Sequence, residues 1–467
     1  MNRFGTLVVA LALVGAAASS AHAGGFSTTT FAGEDGHVAT SHPSASYYNP
    51  AGLALRGGTR LVLEGSFGYR KVGYERPVEA ITDPGGGTPT DALTANSGKA
   101  ELTNALAIPF FAVASDLGVR NLGVGLSLSV PFGGSEDFDK NEAYAGNSKY
   151  PGAVDGVQRW SIINGTVQAI YLTAAGAYYV PAAKLAFGVG LNVVAQSVNV
   201  LRARDLISND NLVNGSGASV EGRALLDVSA TGFSASAGLM YLPTDKLRFG
   251  LSYQSQPDFG TTTMTGTLIN KIGAAATAPS TPVGFEQALP DIIRVGGAYQ
   301  ATPQLELRAQ LEVQRWSRFE QQCITDKTQP TQKCSFNPDG SLAADGAGVT
   351  ANLDRDWSDS VDIHVGATYA VMPAVKLMAG FAFDQNAIPD RTLDAAFVDS
   401  NKYLVTLQGR FELGGGFALN ARWLQVFAET RTTAVITPAA SPTMVPSNAG
   451  KYTQGVGLFS LAAEYEF

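Results

Sequence analysis

Lys402-Tyr403-Leu404-Val405-Thr406-Leu407-Gln408-Gly409-Arg410-Phe411-Glu412-Leu413, followed by Gly414-Gly415, is the stretch on which the fold turns. Tyr403, Val405, Leu407 and Phe411 are apolar, and Lys402, Thr406, Gln408, Arg410 and Glu412 fill the other parity. Successive side chains of a strand point to opposite faces, so this segment has one apolar and one polar face and ends in a glycine turn. The pattern recurs in Thr59 to Lys71, where Leu61, Leu63, Phe67 and Tyr69 oppose Arg60, Glu64, Ser66 and Arg70. It recurs again in Leu305 to Val313, with Leu305, Leu307, Ala309, Leu311 and Val313 against Glu306, Arg308, Gln310 and Glu312.

Working outward, the connections between such segments alternate in length. Short ones are Asp116-Leu117-Gly118, Val180-Pro181-Ala182, Leu242-Pro243-Thr244-Asp245, Ala301-Thr302-Pro303, Met372-Pro373 and Leu413-Gly414-Gly415. Longer polar stretches lie near 73–100, 134–156, 205–221, 267–288, 317–354, 386–398 and 431–451. Tight turns on one side and long loops on the other are what an outer-membrane barrel requires. Six turns and seven loops join 14 strands, expected near 59–72, 101–115, 120–132, 157–179, 183–201, 222–241, 245–266, 289–301, 303–316, 355–371, 374–385, 399–412, 415–430 and 452–467. The fold class is therefore all-β, a 14-stranded antiparallel transmembrane barrel over 59–467. Closure removes strand edges that hydrocarbon could not satisfy, so the apolar faces meet lipid and the polar faces line the lumen.

The ends of the chain are read in the same envelope. Arg3, the apolar run Phe4 to Ala18 and Ala21-His22-Ala23 form a signal-peptide pattern, which puts a signal peptide at 1–23 and the mature start at Gly24. At the other end Phe459, Leu461, Ala463, Tyr465 and Phe467 alternate with Ser460, Glu464 and Glu466. Aromatic residues there suit the membrane interface, and a terminal Phe resembles the signal read by the barrel-assembly machinery, an expected partner during biogenesis.

Composition narrows the function classes. After removal of Arg3 the formal net charge goes from −8 to −9, and mild acidity without a basic run argues against nucleic acid. No apolar run of about 18 residues remains for a membrane helix. Cys323 and Cys334 are 11 positions apart in a polar stretch of an exported chain, which reads as a disulfide; a metal site is the weaker alternative, since no His is near. His364 is the only His of the strands, without the nucleophile context an outer-membrane hydrolase needs, so no enzyme, cofactor or metal is expected. Gly85-Gly86-Gly87 is read as a loop tip, because no strand–loop–helix frame surrounds it.

Residues 24–58 do not alternate and end in Tyr48-Asn49-Pro50-Ala51-Gly52-Leu53. They form either a disordered leader or a plug inside the lumen. Here the chain resembles the FadL/TodX family of outer-membrane transporters of hydrophobic compounds. The matching residues are Gly24-Gly25-Phe26, Phe31, the Asn49-Pro50-Ala51 motif, Asn141 to Gly146, Leu289-Pro290-Asp291, Gly380 to Asp384 and Ile388-Pro389. The resemblance implies an N-terminal hatch at 24–58 and loop capture of a hydrophobic ligand. It further implies a pocket inside the barrel, and lateral exit into the outer-membrane lipids at an inward kink of the third strand.

Pro131-Phe132-Gly133-Gly134 supplies a place for that kink, because Pro cannot donate to the ladder and Gly weakens it; the alternative is that the strand merely ends there. Phe26 and Phe31 are expected ligand contacts by the resemblance. A fatty-acid carboxylate would need a cation. Arg202 and Arg204 share parity with Asn192 and Gln196 and so face the lumen, either for that role or in an ion-pair network with Glu306 or Glu312. Arg159 and Arg318 are weaker candidates. The expected function is transport of long-chain fatty acids by a monomer. The alternatives are neutral aromatic or alkane cargo, or an adhesive barrel using its outer loops.

Overall fold

The computed structural model describes residues 25–27, 31–81, 90–204, 210, 212–213, 218–271, 277–330, 334, 348–435 and 446–467. The signal segment 1–23 and Gly85-Gly86-Gly87 lie outside the described residues.

Fourteen antiparallel strands close on themselves. They are β1 (Thr59–Arg76), β2 (Gly98–Ser115), β3 (Leu122–Asp137), β4 (Asn164–Val180), β5 (Leu185–Arg204) and β6 (Gly222–Thr244). Four interrupted strands follow: β7 (Leu247–Gln254 and Thr262–Lys271), β8 (Ser280–Gln287 and Ile292–Gln300), β9 (Leu305–Gln314 and Gln321–Asp326) and β10 (Val349–Asp354 and Ser360–Met372). The last four are β11 (Val375–Asp384), β12 (Lys402–Gly414), β13 (Phe417–Ala428 with Arg431–Thr433) and β14 (Gly450–Glu466). Each pairs with its neighbour in sequence, and β14 returns to β1 in a continuous register from Arg60↔Glu466 to Glu75↔Lys451.

The expected alternation is visible in burial. In β1, Arg60, Glu64, Ser66 and Arg70 are buried, while Leu63, Phe67 and Tyr69 are exposed on the outer wall. An exposed Leu beside a buried Arg is the reverse of a soluble protein. It is stable here because the outer face meets hydrocarbon and the inner face pairs its charges. The short turns hold as placed. In the first, Leu117 and Gly118 adopt left-handed φ of 52° and 73°, and the Asp116 carboxylate accepts the Gly118 and Gly58 amides at 2.9 and 3.0 Å.

Several boundaries depart from expectation. β4 begins at Asn164 rather than near 157, because Pro151–Asp155 forms a 3-10 turn and Arg159 and Trp160 turn inward beyond it. β8 starts at Ser280, and β9 and β10 extend through Asp326 and from Val349, so part of the stretch 317–354 read as a loop is barrel wall. The sequence signal failed there because β7 to β10 all break at one level, around 255–261, 288–291, 315–320 and 355–359, which scrambles the parity.

Residues 31–55 lie among inward-facing side chains. They form short turns at Gly33–Asp35, Ala45–Tyr48 and Pro50–Leu55. Lumen groups satisfy their backbone. Glu64 accepts the Ala32 amide at 2.9 Å, Gln408 the Glu34 amide at 3.0 Å and Gln310 the Val38 amide at 2.6 Å. Arg248 and Ser252 donate to the Ala39 and Tyr48 carbonyls at 2.8 and 2.7 Å. Paired wall glycines make room: Gly188↔Gly238, Gly250↔Gly296 and Gly366↔Gly380. A Cβ on Gly238 would sit 1.9 Å from Asn49 Oδ1, and one on Gly380 2.0 Å from Glu34 Oε1.

Candidate ligand-binding site

The third strand is where the wall changes. β3 pairs with β4 from Leu122 to Asp137, but with β2 only through the five pairs from Phe111↔Leu128 to Ser115↔Val124. The β3–β4 register slips between Ser129 and Phe132. Below the slip Ser127 and Ser129 face inward; above it Phe132, Gly134 and Glu136 do. Pro131 therefore sits in a bulge that reverses parity, as an extra residue in one strand must.

Residues 25–27 dock on that bulge. Ser27 bridges Phe132, and the Gly133 amide donates to the Phe26 carbonyl at 3.0 Å. The Gly25 amide donates to Asp399 Oδ2 at 3.0 Å. The Phe26 ring is enclosed by five others, with centroids 5.1 Å from Trp316, 5.3 Å from Phe397, 5.9 Å from Phe319, 6.0 Å from Trp357 and 6.2 Å from Phe132.

Beside this cluster is a cavity with an empty volume of about 880 Å³. Its walls are mainly apolar, with Val167, Val198, Leu226, Leu268, Phe285 and Ile324 from six strands, β4 to β9, and with Phe26 and Phe397 beside them. The polar lining is Arg202 and Arg204 at the end of β5, Arg355 after the first part of β10, Gln322 and Glu136. Three arginines against one glutamate give the lining a formal charge of +3 − 1 = +2. Arg355 is held by Asp394 at 2.8 Å and by Gln322 Oε1 at 2.8 and 2.9 Å, which leaves the surroundings still cationic. An apolar pocket with a few convergent polar groups is the ordinary form of a small-molecule site.

Phe26, Arg202, Arg204 and Gly134 thus meet at one cavity. Phe31 does not. It is stacked on Phe110 at 4.8 Å with Tyr47 and Tyr48 around it, deep in the 31–55 segment and away from the lining, because Tyr48 Oη donates to its carbonyl at 2.9 Å and folds the segment there. Glu306 and Glu312 do not pair with Arg202 or Arg204 either; Glu306 meets Arg248 at 2.9 Å and Glu312 meets Arg294 at 2.6 Å. Arg159 is buried against Glu221 at 3.0 Å, and Arg318 lies half-exposed, 3.6 Å from Asp291. Asn49 anchors its motif: its Nδ2 donates to the Val38 and Leu239 carbonyls at 2.7 and 3.2 Å, and its Oδ1 accepts the Ala51 amide at 3.2 Å, capping the turn that Pro50 opens. Cys323 and Cys334 are joined, with Cα atoms 6.2 Å apart.

Sequence reasoning missed Arg355, Glu136, Trp316, Trp357 and Phe397. Trp316, Arg355 and Trp357 lie in strand interruptions and Glu136 beyond the bulge, where parity counted from the regular segment no longer applies, and Phe397 lies in the connection between β11 and β12. His364 faces the lumen as expected, 3.3 Å from Glu34.

Comparison with known proteins agrees with this architecture. The family model described as outer membrane protein transport protein (OMPP1/FadL/TodX) matches residues 8–467. Outer membrane protein P1 of Haemophilus influenzae is 28% identical over 243 residues, 47% of this chain and 48% of that protein, so the match spans about half of the relative's length. Among solved structures, a Pseudomonas aeruginosa FadL homologue superposes with a TM-score of 0.73 at 18% identity, covering 97% of this chain and all (100%) of that one. The Pseudomonas putida toluene transporter TodX gives 0.59 at 15% identity, covering 91% of this chain and 94% of its own. At such identities the structural likeness speaks for the fold alone.

Proposed function

Because the chain belongs to the outer membrane protein transport protein family (OMPP1/FadL/TodX), we propose that this outer-membrane barrel carries amphiphiles with an apolar chain and an anionic head, long-chain fatty acids first among them. The observation that carries the reading is the cavity: mainly apolar walls with Arg202, Arg204 and Arg355 at its lining. The apolar walls shelter the chain, worth about 25 cal/mol per Å² buried, and guanidinium groups bind a carboxylate through charge-assisted hydrogen bonds. Catalysis has no part in this reading.

In this reading the outer loops capture the ligand, residues 24–58 act as the hatch and Phe26 closes the cavity on the side of β3. Departure is lateral, where regular β2–β3 pairing stops above Leu128. A sideways route spares the apolar chain a passage through water. The outer-membrane lipids receive it, and the barrel acts as a monomer.

The aromatic rings around Phe26 favour a second reading, neutral monoaromatic cargo. Mass spectrometry of compounds retained by the purified protein, followed by titration with hexadecanoate and with toluene, decides between them. Retained or tightly bound fatty acid, weakened about ten-fold or more in an Arg202→Gln/Arg204→Gln variant, is expected. Neutral hydrocarbons alone, with no effect of the two arginines, would overturn the fatty-acid reading.

A further inference from the structure

Arg70 of β1 is a fully buried cation. Its side chain has no exposed surface, yet among the described residues only Nη1 has a partner, Glu136 Oε1 at 3.0 Å. Nε and Nη2 of Arg70 and Oε2 of Glu136 are buried without an acceptor or donor among the described residues. A guanidinium carries five N–H donors in a fixed fork matched to a carboxylate, so a single-point contact leaves most of that capacity unused. Burying a charge in this state is expensive, and a buried cation with unused donors is a poor structural device.

Its place in the barrel gives the expense a purpose. Glu136 lines the apolar cavity, and it points inward only because the bulge at Pro131 reverses the parity of β3. Arg70 stands in register with Asn104 of β2, and Asn104 Nδ2 donates to the Ser135 carbonyl of β3. Asn104 lies above Phe111, in the part of β2 beyond its regular pairing with β3. Arg70, Asn104, Ser135 and Glu136 therefore form a polar group across β1, β2 and β3, of which Glu136 lines the cavity, whereas Arg202 and Arg204 stand on β5.

We propose that Arg70 is a second anion site, at the wall side of the cavity, which takes the carboxylate of the cargo in exchange for Glu136. The inference rests on the fatty-acid reading above and adds a residue pair to it. A ligand that arrives as the neutral acid gives its O–H proton to the Glu136 carboxylate. Its own carboxylate then replaces Glu136 on Arg70. One O–H bond breaks, one forms, and the charge beside Arg70 is unchanged. Glu136 acts as the resident competitor that keeps Arg70 neutralised when no cargo is present.

The test is calorimetric titration of the full-length protein in one detergent with hexadecanoate and, separately, hexadecanol. Glu136→Gln removes the competitor, so hexadecanoate should bind about ten-fold tighter while hexadecanol is unchanged. Glu136→Asp, which keeps the charge, should stay near wild type, and Glu136→Ala, which also removes the charge, takes the place of Glu136→Gln if the amide variant fails to fold. Adding Arg70→Gln should abolish the gain. Equal shifts for acid and alcohol, or none for either, would overturn the Arg70 site while leaving the fatty-acid reading intact. A preference for the acid that moves only with Arg202→Gln/Arg204→Gln would do the same. Failure of the wild type to bind either probe would instead remove the fatty-acid reading, and this site with it.

Discussion

Phe26 joins two things that the chain keeps far apart, residues 25–27 and the bulge of β3. Its ring supplies the packing, with five aromatic centroids within 6.2 Å, and its carbonyl supplies the hydrogen bond to the Gly133 amide. The ring should carry the energy, because truncating a buried Phe to Ala costs about 3 kcal/mol or more, whereas one hydrogen bond contributes about 1 kcal/mol net. Phe26→Ala is therefore expected to release residues 25–27 and to raise hydrogen exchange at the Gly133 amide roughly a hundred-fold, with the melting of the barrel itself unchanged. Exchange at Gly133 that stays at the wild-type rate would show that β3 holds its bulge without residues 25–27. Phe31 offers the contrast at the same scale. Both phenylalanines are buried, and the sequence treats them alike, but Phe31 is committed to Phe110, Tyr47 and Tyr48. Nothing in residue type or spacing separates the two, because the difference is set by where the 31–55 segment turns.

At the scale of elements, the strands were legible because alternation is a local property and each short turn carries its own Gly, Pro or Asp. Lys402 to Leu413 shows this, running as one strand with its turn at Gly414 to Gly416, all three at positive φ. Legibility fails at interruptions, and these are where the site is built. Trp316, Phe319, Arg355 and Trp357 all lie in the breaks of β9 and β10, and Glu136 follows the bulge in β3. A signal that could have been read is the pairing of inward glycines. Gly188, Gly238 and Gly250 share the lumen parity of their strands and leave a track for Asn49 to Ala51 and for the Val38 carbonyl. Gly238→Leu tests this track. The side chain would collide with Asn49, at a cost of about 1–3 kcal/mol, and the barrel can escape that cost by expelling the segment rather than by unfolding. The expected result is a folded barrel in which proteases cut within 45–55 and hexadecanoate binding is weaker; continued resistance to proteolysis would mean that the segment can repack around the new side chain.

For the whole molecule the decisive fact is that the lumen is occupied. A 14-stranded barrel has a polar inner face, and left empty it would hold water and conduct ions. Here residues 31–55 use the polar groups that water would otherwise solvate: Glu64, Arg248, Ser252, Gln310 and Gln408 each bond the segment's backbone, and Arg308 holds the Glu34 carboxylate at 3.0 Å. Arg294 lies over the Tyr47 and Tyr48 rings at 4.8 and 5.5 Å and pairs with Glu312, so its charge is also taken up. An ion crossing the barrel along its axis would have to displace this set, at a cost of about 1–3 kcal/mol for each buried polar group left unsatisfied. A hydrophobic ligand that leaves sideways at β3 displaces none of it. In planar bilayers the wild-type protein should therefore show no steady, ohmic conductance, while Gly238→Leu, with the segment expelled, should conduct persistently and in proportion to salt. A wild type that conducts like an open pore would show that residues 31–55 leave the lumen readily, and a lateral route would lose its physical basis.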